Sequence, residues 1–183
     1  MKKLSMFLAI CLLSVVTYSQ SVFGVQVDGN KTDVVNKFKA KGFKVLTTPS
    51  ATATSLQGYL DGVKYELVVC NTPITKKVWK VAVYLPEQNN WYDLKLSYQN
   101  FYDLFLKKYG EPSSSYSSFS SPYEEGDGYE MTAVAVEKCS YSAFWDEVWM
   151  TISKYKQVQL NYENPINSEL FSAENEKLNT KNF

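Results

Sequence analysis

Acidic residues crowd one short stretch of the sequence in a way that could hold a metal ion. Four carboxylates stand close together there, with glycines at positions 126 and 128 that would let the backbone turn: Glu124, Glu125, Asp127 and Glu130. Carboxylate oxygens suit hard cations such as Ca²⁺. The spacing matches no established calcium loop, however, and the alternative is a solvated turn whose glycines supply positive φ. The sequence therefore predicts no metal and no other cofactor, with these four as the only candidate ligands.

A second pair of acids could support hydrolysis of a glycan. A glycosidase needs two carboxyl groups that face each other across a cleft. Asp146 and Glu147 fall within a predicted strand over residues 144–154, where neighbouring side chains point to opposite faces. The pair is therefore predicted not to converge, and no catalytic residue is assigned.

Two missing residue types exclude whole classes of mechanism. The chain contains no histidine and no arginine. Without histidine, Ser-His-Asp and Cys-His nucleophiles and the usual zinc sites are excluded. Without arginine, the bidentate contacts that proteins favour for guanine and phosphate are missing, and the near-neutral charge also argues against a nucleic-acid partner.

Aromatic side chains are the strongest remaining signal, with four tryptophans and fourteen tyrosines in 183 residues. Exposed flat rings can stack on sugars or anchor a protein partner. The even spacing of Trp145 and Trp149 places both on one face of the predicted strand, and Tyr123 and Tyr129 lie near predicted strand ends. These four residues are the candidate binding residues. The alternative for each of them is that it fills the core.

Cys70 and Cys139 each lie on or at the end of a predicted strand. In an oxidising compartment an even number of cysteines is compatible with a bridge. Two interpretations stay open, a disulfide between Cys70 and Cys139 or two buried free thiols.

Residues 1–19 have the layout of a secretory signal peptide, with two lysines, an apolar run and then small polar residues. The small residues predict cleavage before Gln20, with Ser21 as the second choice. The apolar run is too short to span a bilayer, and no later stretch is long enough. A lipoprotein signal ending at Cys11 is disfavoured because the residue before it is large. The prediction is an exported protein, periplasmic or extracellular, with no transmembrane segment in its mature chain.

The first half of the mature chain predicts a helix followed by an antiparallel meander. Asn30 is placed as the N-cap of the helix and Gly42 as its end. Strands are predicted over residues 43–46, 56–60, 63–70 and 77–85. Asp61-Gly62 between the second and third is a strong hairpin signal.

The second half predicts the same order of elements. A helix over residues 91–109 carries an apolar stripe made of Leu94, Tyr98, Phe101, Leu104 and Phe105. A polar edge strand or loop is predicted over 113–121, and strands over 129–139, 144–154 and 157–162. A terminal helix is predicted over 166–179.

These elements predict one α+β domain over residues 20–183, an antiparallel sheet with helices on one side and a C-terminal helix. Residues 23–86 and 91–163 are the two candidate half-units. Identity between them is too weak to establish an internal repeat, so this question stays open.

Five stretches of the sequence carry a resemblance to known proteins: FGVQVDG at 23–29, KAKGF at 39–43, VWKVAV at 78–83, KKYGEP at 107–112 and EGDGYE at 125–130. With these the chain resembles an uncharacterised family of small exported proteins from gut-dwelling Gram-negative bacteria, a domain of unknown function. The resemblance implies an exported α+β domain and no activity. More loosely, two helix-then-meander units are similar in architecture to β-lactamase inhibitor protein, whose repeats present a concave sheet to a partner.

The sequence thus favours a non-enzymatic binding module in the cell envelope or outside the cell, whose curved sheet contacts a protein or a glycan through surface aromatics. The alternative is a carboxylate-dependent glycan hydrolase. That alternative requires two acidic residues facing each other in a pocket.

Overall fold

The computed structural model of the chain describes residues 20–46 and 50–180. The predicted signal peptide at residues 1–19, including Cys11, lies outside the described residues. The described chain forms four helices: α1 Lys31–Ala40, α2 Trp91–Tyr109, α3 Glu130–Ala135 and α4 Pro165–Thr180. It forms ten strands: β1 Ser21–Val22, β2 Val25–Gln26, β3 Lys44–Val45, β4 Ala53–Leu60, β5 Val63–Asn71, β6 Val78–Tyr84, β7 Ser114–Phe119, β8 Cys139–Trp145, β9 Val148–Ser153 and β10 Gln157–Glu163.

Eight of these strands make one antiparallel sheet in the order β3-β4-β5-β6-β10-β9-β8-β7, while β1 and β2 form a small separate hairpin. In each half of the chain a helix precedes four strands that pair in sequence order, α1 before β3 to β6 and α2 before β7 to β10. The short α3 lies between β7 and β8. The last strands of the two halves, β6 and β10, pair with each other and join the halves. The predicted α+β class with an antiparallel sheet and a C-terminal helix is confirmed.

One side of the sheet is buried beneath α1 and α2. Five successive cross-strand partners line this side, and all are buried: Leu67, Val83, Leu160, Met150 and Ala143. The two helices contribute further buried side chains to the same cluster: Val34, Phe38, Leu94, Tyr98 and Phe105. The single core therefore runs across both halves of the sheet.

The local signals at the first helix and the first hairpin behave as predicted. The Asn30 side chain accepts a hydrogen bond from the Thr32 N–H at 3.0 Å and caps α1, and Gly42 follows α1 with φ +93°. Asp61 and Gly62 both have positive φ, +50° and +79°. Positive φ at both central residues is the requirement of the type I′ turn that closes a tight hairpin, here between β4 and β5.

The long helix α2 has the predicted bounds, but its apolar stripe is narrower than predicted. Leu94, Tyr98 and Phe105 are buried, and Phe101 packs partly buried against the core. Leu104 is 57% exposed. At 3.6 residues per turn, position 104 lies roughly 80° from the direction of Leu94, which takes its side chain off the buried face.

The segment 129–139 is not a strand, contrary to the prediction. It contains α3, after which β8 begins at Cys139. The buried residues of α3 are Glu130, Ala133 and Val134. Their i, i+3, i+4 spacing is that of a helix facing a core, a pattern hidden by the β-branched and aromatic residues around it.

The predicted strand over 144–154 is in fact two strands. A turn at Asp146 and Glu147 separates β8 from β9, and Trp145 pairs with Val148 across it. The prediction that Trp145 and Trp149 share a face is therefore wrong, because even spacing keeps a common face only within one continuous strand. Trp149 instead lies directly opposite Phe144.

Helix α4 begins at Pro165, and the Asn164 side chain caps it by accepting from the Asn167 N–H at 3.0 Å. Phe171 stacks on Trp79 of β6 with ring centroids 4.6 Å apart. Glu174 is 2% exposed and accepts hydrogen bonds from the Ile74 N–H at 2.6 Å and the Thr75 hydroxyl at 2.6 Å. These contacts fasten α4 to the turn before β6. Within residues 20–46 and 50–180, every helix is too short or too polar to cross a membrane.

Candidate binding face of the sheet

The side of the sheet opposite α1 and α2, here called the open face, follows from the strand register. Directly opposite residues of an antiparallel ladder share a face. One row across the open face starts on β4 and reaches β8: Ser55, Val68, Ala82, Asn161, Trp149 and Phe144. A parallel row runs through Gln57, Glu66, Tyr84, Gln159, Thr151, Ser142 and Tyr116.

Three aromatic rings form a continuous group on the open face, here called the aromatic row: Tyr116, Phe144 and Trp149. Phe144 and Trp149 stack with centroids 5.9 Å apart and planes 22° from parallel. Tyr116, on the edge strand β7, meets Phe144 edge-on at 6.3 Å and is 56% exposed. The other two rings are partly exposed. Because each ring is held by its neighbour, the row offers flat apolar surface in a fixed orientation.

Charged groups from β10 and β6 contact the indole of Trp149. Its Nε1–H donates to Glu163 Oε1 at 3.1 Å. Lys80 Nζ lies 5.7 Å from the Trp149 ring centroid and 4.8 Å from that of Trp79. A cation at this distance is attracted to the face of an aromatic ring. Lys80 therefore connects the aromatic row to the stacked pair of Trp79 and Phe171.

Beside Trp149 the open face contains a buried amide. Asn161 is fully buried, and its Oδ1 accepts from Gln159 Nε2 at 2.8 Å. Its Nδ2 donates to no partner among the described residues, and neither does Trp79 Nε1. Buried polar atoms without a hydrogen bond are uncommon in folded proteins. Two of them lie next to the groups that orient Trp149.

The half of the open face formed by β7 to β10 is polar and nearly uncharged. Apart from the aromatic row and Glu163, the residues that register places there carry hydroxyl or amide side chains: Ser114, Ser118, Ser140, Ser142, Thr151, Ser153, Gln157, Gln159 and Asn161. The other half differs, since Lys64 and Glu66 form a salt bridge there at 3.3 Å. The two halves of the open face are thus chemically distinct.

A groove of about 290 Å³ at one end of the open face collects acidic residues. It is lined by Asp146, Glu147, Glu163, Pro165, Ser168, Glu169 and Ser172. The prediction that Asp146 and Glu147 lie on a strand is wrong, because both lie in a turn that borders this groove. Glu163 is bonded to Trp149, and Glu147 Oε2 accepts from Gln20 Nε2 at 3.2 Å. Two of the four carboxylates, Glu147 and Glu163, are therefore already hydrogen-bonded within the protein.

The predicted acidic cluster organises a loop and does not converge on one point. Asp127 accepts from the Glu124 and Tyr129 N–H groups at 2.9 and 2.7 Å, and Glu130 accepts from the Gly126 N–H at 2.7 Å. Glu130 itself is buried. In the part of the chain that the structure describes, no group of three or more Cys, Asp or Glu is arranged to hold a metal ion.

The Glu125 side chain attaches this loop to α2 and β8. Its carboxylate pairs with Lys95, accepts from the Tyr141 hydroxyl at 3.0 Å and accepts from Trp91 Nε1 at 3.3 Å. The hydrogen bond from Lys95 is the main cause that holds the Glu125 pKa below its ordinary value. Burial, followed by the bond to Glu125, raises the pKa of Tyr141. The loop is thereby held beside α2 and β8.

The four aromatic residues predicted from the sequence to bind a ligand lie in different parts of the structure. Trp145 is 7% exposed, and its Nε1 donates to the Gly110 carbonyl at 2.8 Å, so it belongs to the core and its prediction as a binding residue is wrong. Tyr123 and Tyr129 belong to the loop that Glu125 attaches to α2, although Tyr129 is 64% exposed. Only Trp149 lies on the open face.

The disulfide between Cys70 and Cys139 is not formed, and both residues are free thiols. Three strands separate β5 from β8 in the sheet, a distance of about 19 Å at the usual strand spacing. Burial raises the pKa of Cys70 and raises that of Cys139 to about 12. The thiolate is the reactive form, and burial disfavours it at both cysteines.

Sequence reasoning did not identify Phe144, Lys80 or Asn161 as parts of this face. Only the strand register brings them to Trp149, and the register depends on the turn at residues 146–147. The available signal was Tyr116, an aromatic residue inside a run of serines on a predicted edge strand. Comparisons with protein-family models, curated proteins and solved structures give no match to this chain.

Proposed function

We propose that the protein is an exported, non-enzymatic binding module that contacts its ligand through the open face. The observation that carries this proposal is the aromatic row, in which Phe144, Trp149 and Tyr116 keep contact with solvent while the core takes Trp145. Large aromatic side chains dominate binding energies wherever they can be buried by a partner.

The fixed orientation of the row supports binding. Trp149 is stacked on Phe144, bonded to Glu163 and approached by Lys80. Ordering side chains on association costs free energy, and groups that are already ordered avoid most of this cost. A ligand would therefore meet a preformed surface.

Export remains part of the proposal and rests on the signal-peptide layout of residues 1–19. Gln20, the predicted first residue of the mature chain, is attached to the fold: its carbonyl accepts from the Val27 N–H at 2.7 Å, and its Oε1 accepts from the Tyr109 hydroxyl at 3.2 Å. Cleavage before Gln20 would leave both contacts intact. Mass spectrometry of the protein recovered from the periplasm or the medium tests this, and a mass that retains residues 1–19 would contradict export by cleavage.

Binding through the open face is tested by retention on immobilised protein. Wild type, Trp149→Ala and Tyr92→Ala are each exposed to envelope extract separated into protein and polysaccharide fractions. Tyr92 is the matched control, since it is an exposed tyrosine, 74% accessible, on α2. We expect wild type and Tyr92→Ala to retain the same component and Trp149→Ala to lose it.

Two results would overturn the proposal: retention of no component by wild type, or equal retention by Trp149→Ala. A retained glycan that is cleaved during the experiment would contradict the non-enzymatic part. It would favour hydrolysis by acids of the 290 Å³ groove, where Asp146 and Glu169 are candidates.

A further inference from the structure

We propose that the ligand of the open face is a neutral glycan, seated on the half formed by β7 to β10. This inference rests on the proposed function and adds the chemical class of the ligand. It follows from the aromatic, hydroxyl and amide side chains that the strand register places together on this half, and from the scarcity of charged side chains there.

The first step concerns the two sides of a sugar ring. A pyranose presents apolar C–H groups on its faces and hydroxyls around its edge. Phe144 and Trp149 stack with their planes 22° apart, so each ring covers part of the other. The apolar surface available to a sugar is the part of the two rings that solvent still reaches. The hydroxyl and amide side chains around them can both donate and accept hydrogen bonds, as sugar hydroxyls require.

The second step concerns charge. Glu163 is the one charged side chain that register directs to the open face among the residues of β7 to β10, all of which are described. A polyanionic ligand would need a set of cations. Strands β7 to β10 direct none to this face, and Lys80 of β6, which lies beside Trp149, is directly opposite Glu163. The core of a protein interface is enriched in Met and Arg as well as aromatics. Here Met150 points to the buried side and the chain has no arginine, so a neutral sugar chain fits better than a protein.

The third step concerns the buried amide. Asn161 lies directly opposite Trp149, is fully buried, and its Nδ2 has no partner among the described residues. Because Asn161 is fully buried, its Nδ2 would reach a ligand hydroxyl only after the side chains that cover it move. The stacking rings and the unpaired donor thus lie at one place on the sheet, and they are contributed by β8, β9 and β10.

The experiment measures binding of neutral oligosaccharides from α-glucan, β-glucan, xylan and mannan by calorimetric titration, with polygalacturonate as the anionic comparison. We expect wild type to bind at least one neutral glycan and not polygalacturonate. Trp149→Ala is expected to weaken binding at least tenfold, Trp149→Phe to restore part of it by keeping a stacking ring, and Tyr92→Ala to leave it unchanged. Tyr116→Ala provides a second test at a position that is 56% exposed.

Thermal unfolding of each variant shows whether it is folded. The inference is overturned if no neutral glycan binds, or if binding survives both Trp149→Ala and Tyr116→Ala. Failure here is distinguishable from failure of the proposed function, because a protein retained from the extract through Trp149 would leave the binding face intact and exclude only the glycan. Retention of nothing at all would remove both.

Discussion

Phe144 and Trp149 lie directly opposite each other on adjacent strands, with ring centroids 5.9 Å apart and planes 22° from parallel. Trp145, which follows Phe144 in the chain, points to the other side of the sheet and is buried against α2. Consecutive aromatic residues thus serve different purposes. One fills the core and the other builds a surface that solvent reaches.

Fluorescence quenching should distinguish these two tryptophans. Variants that keep only Trp145 or only Trp149, with the remaining tryptophans replaced by Phe, are titrated with acrylamide. We expect the variant that keeps Trp149 to be quenched several-fold more strongly, because Trp145 is only 7% exposed. Equal quenching of two folded variants would mean that the assignment of faces is wrong.

Truncating a side chain of α2 should cost much more stability on the buried side of the helix than on its exposed side. Phe105 is 5% exposed and packs edge-on against Trp145 and Tyr162, so Phe105→Ala should lower the free energy of unfolding by about 3–5 kcal/mol. The control is Leu104→Ala, one residue away and 57% exposed, which should change it by less than about 0.5 kcal/mol. Urea unfolding measures both, and similar losses in the two variants would contradict the helix orientation.

Gly58 should tolerate no side chain, although its backbone conformation is ordinary. A Cβ built on Gly58 would lie 2.7 Å from the Phe43 ring, so Gly58→Ala should cost about 1–3 kcal/mol through overpacking. The smaller side chain in Phe43→Leu should relieve part of this cost in the double variant, which shows up as a non-additive free energy in a double-mutant cycle. Additive losses would indicate that the ring does not limit space at this position.

Glu174 should make stability depend on pH. Burial raises its pKa, but hydrogen bonds from Thr75 and from the Ile74 N–H outweigh burial and hold the pKa below the ordinary 4.5. A carboxylate with a lowered folded-state pKa adds stability above its unfolded pKa, and this contribution is lost as the pH falls through the folded-state value.

Glu174→Gln should therefore destabilise the protein by about 1–3 kcal/mol at pH 7, and the difference from wild type should shrink below pH 4.5. Glu169→Gln, an exposed glutamate on the same helix, is the control. Unfolding measured across this pH range checks the prediction. A difference that stays constant with pH would show that the Glu174 charge does not anchor α4.

Much of the fold could be predicted because strong local signals mark it. Asn30, Gly42 and the Asp61-Gly62 turn carry their structural role in their own residue type, and α2 has both a long periodic stripe and clear ends. The β8–β9 turn has no such signal. Asp146 and Glu147 include neither glycine nor asparagine, so the residue types predict one continuous strand, which would put Trp145 and Trp149 on the same face.

The candidate site depended on information that no local pattern carries. The Phe144–Trp149 stack exists because a two-residue turn pairs these residues, and Asn161 joins them through the pairing of β10 with β9. The contacts of the acidic loop were likewise beyond what a local pattern predicts. Its carboxylates bind backbone N–H groups and Lys95. The sequence alone does not show which of the available donors each carboxylate will bind.

The most direct test of the open face as the binding surface follows the four indole N–H signals in ¹H–¹⁵N spectra of the wild type during titration with the neutral oligosaccharides. Single Trp→Phe variants assign the signals. We predict that the Trp149 signal shifts while those of Trp91 and Trp145, on the helix-covered side, stay in place. Shifts confined to Trp91 or Trp145, or no shift at any indole, would contradict the account.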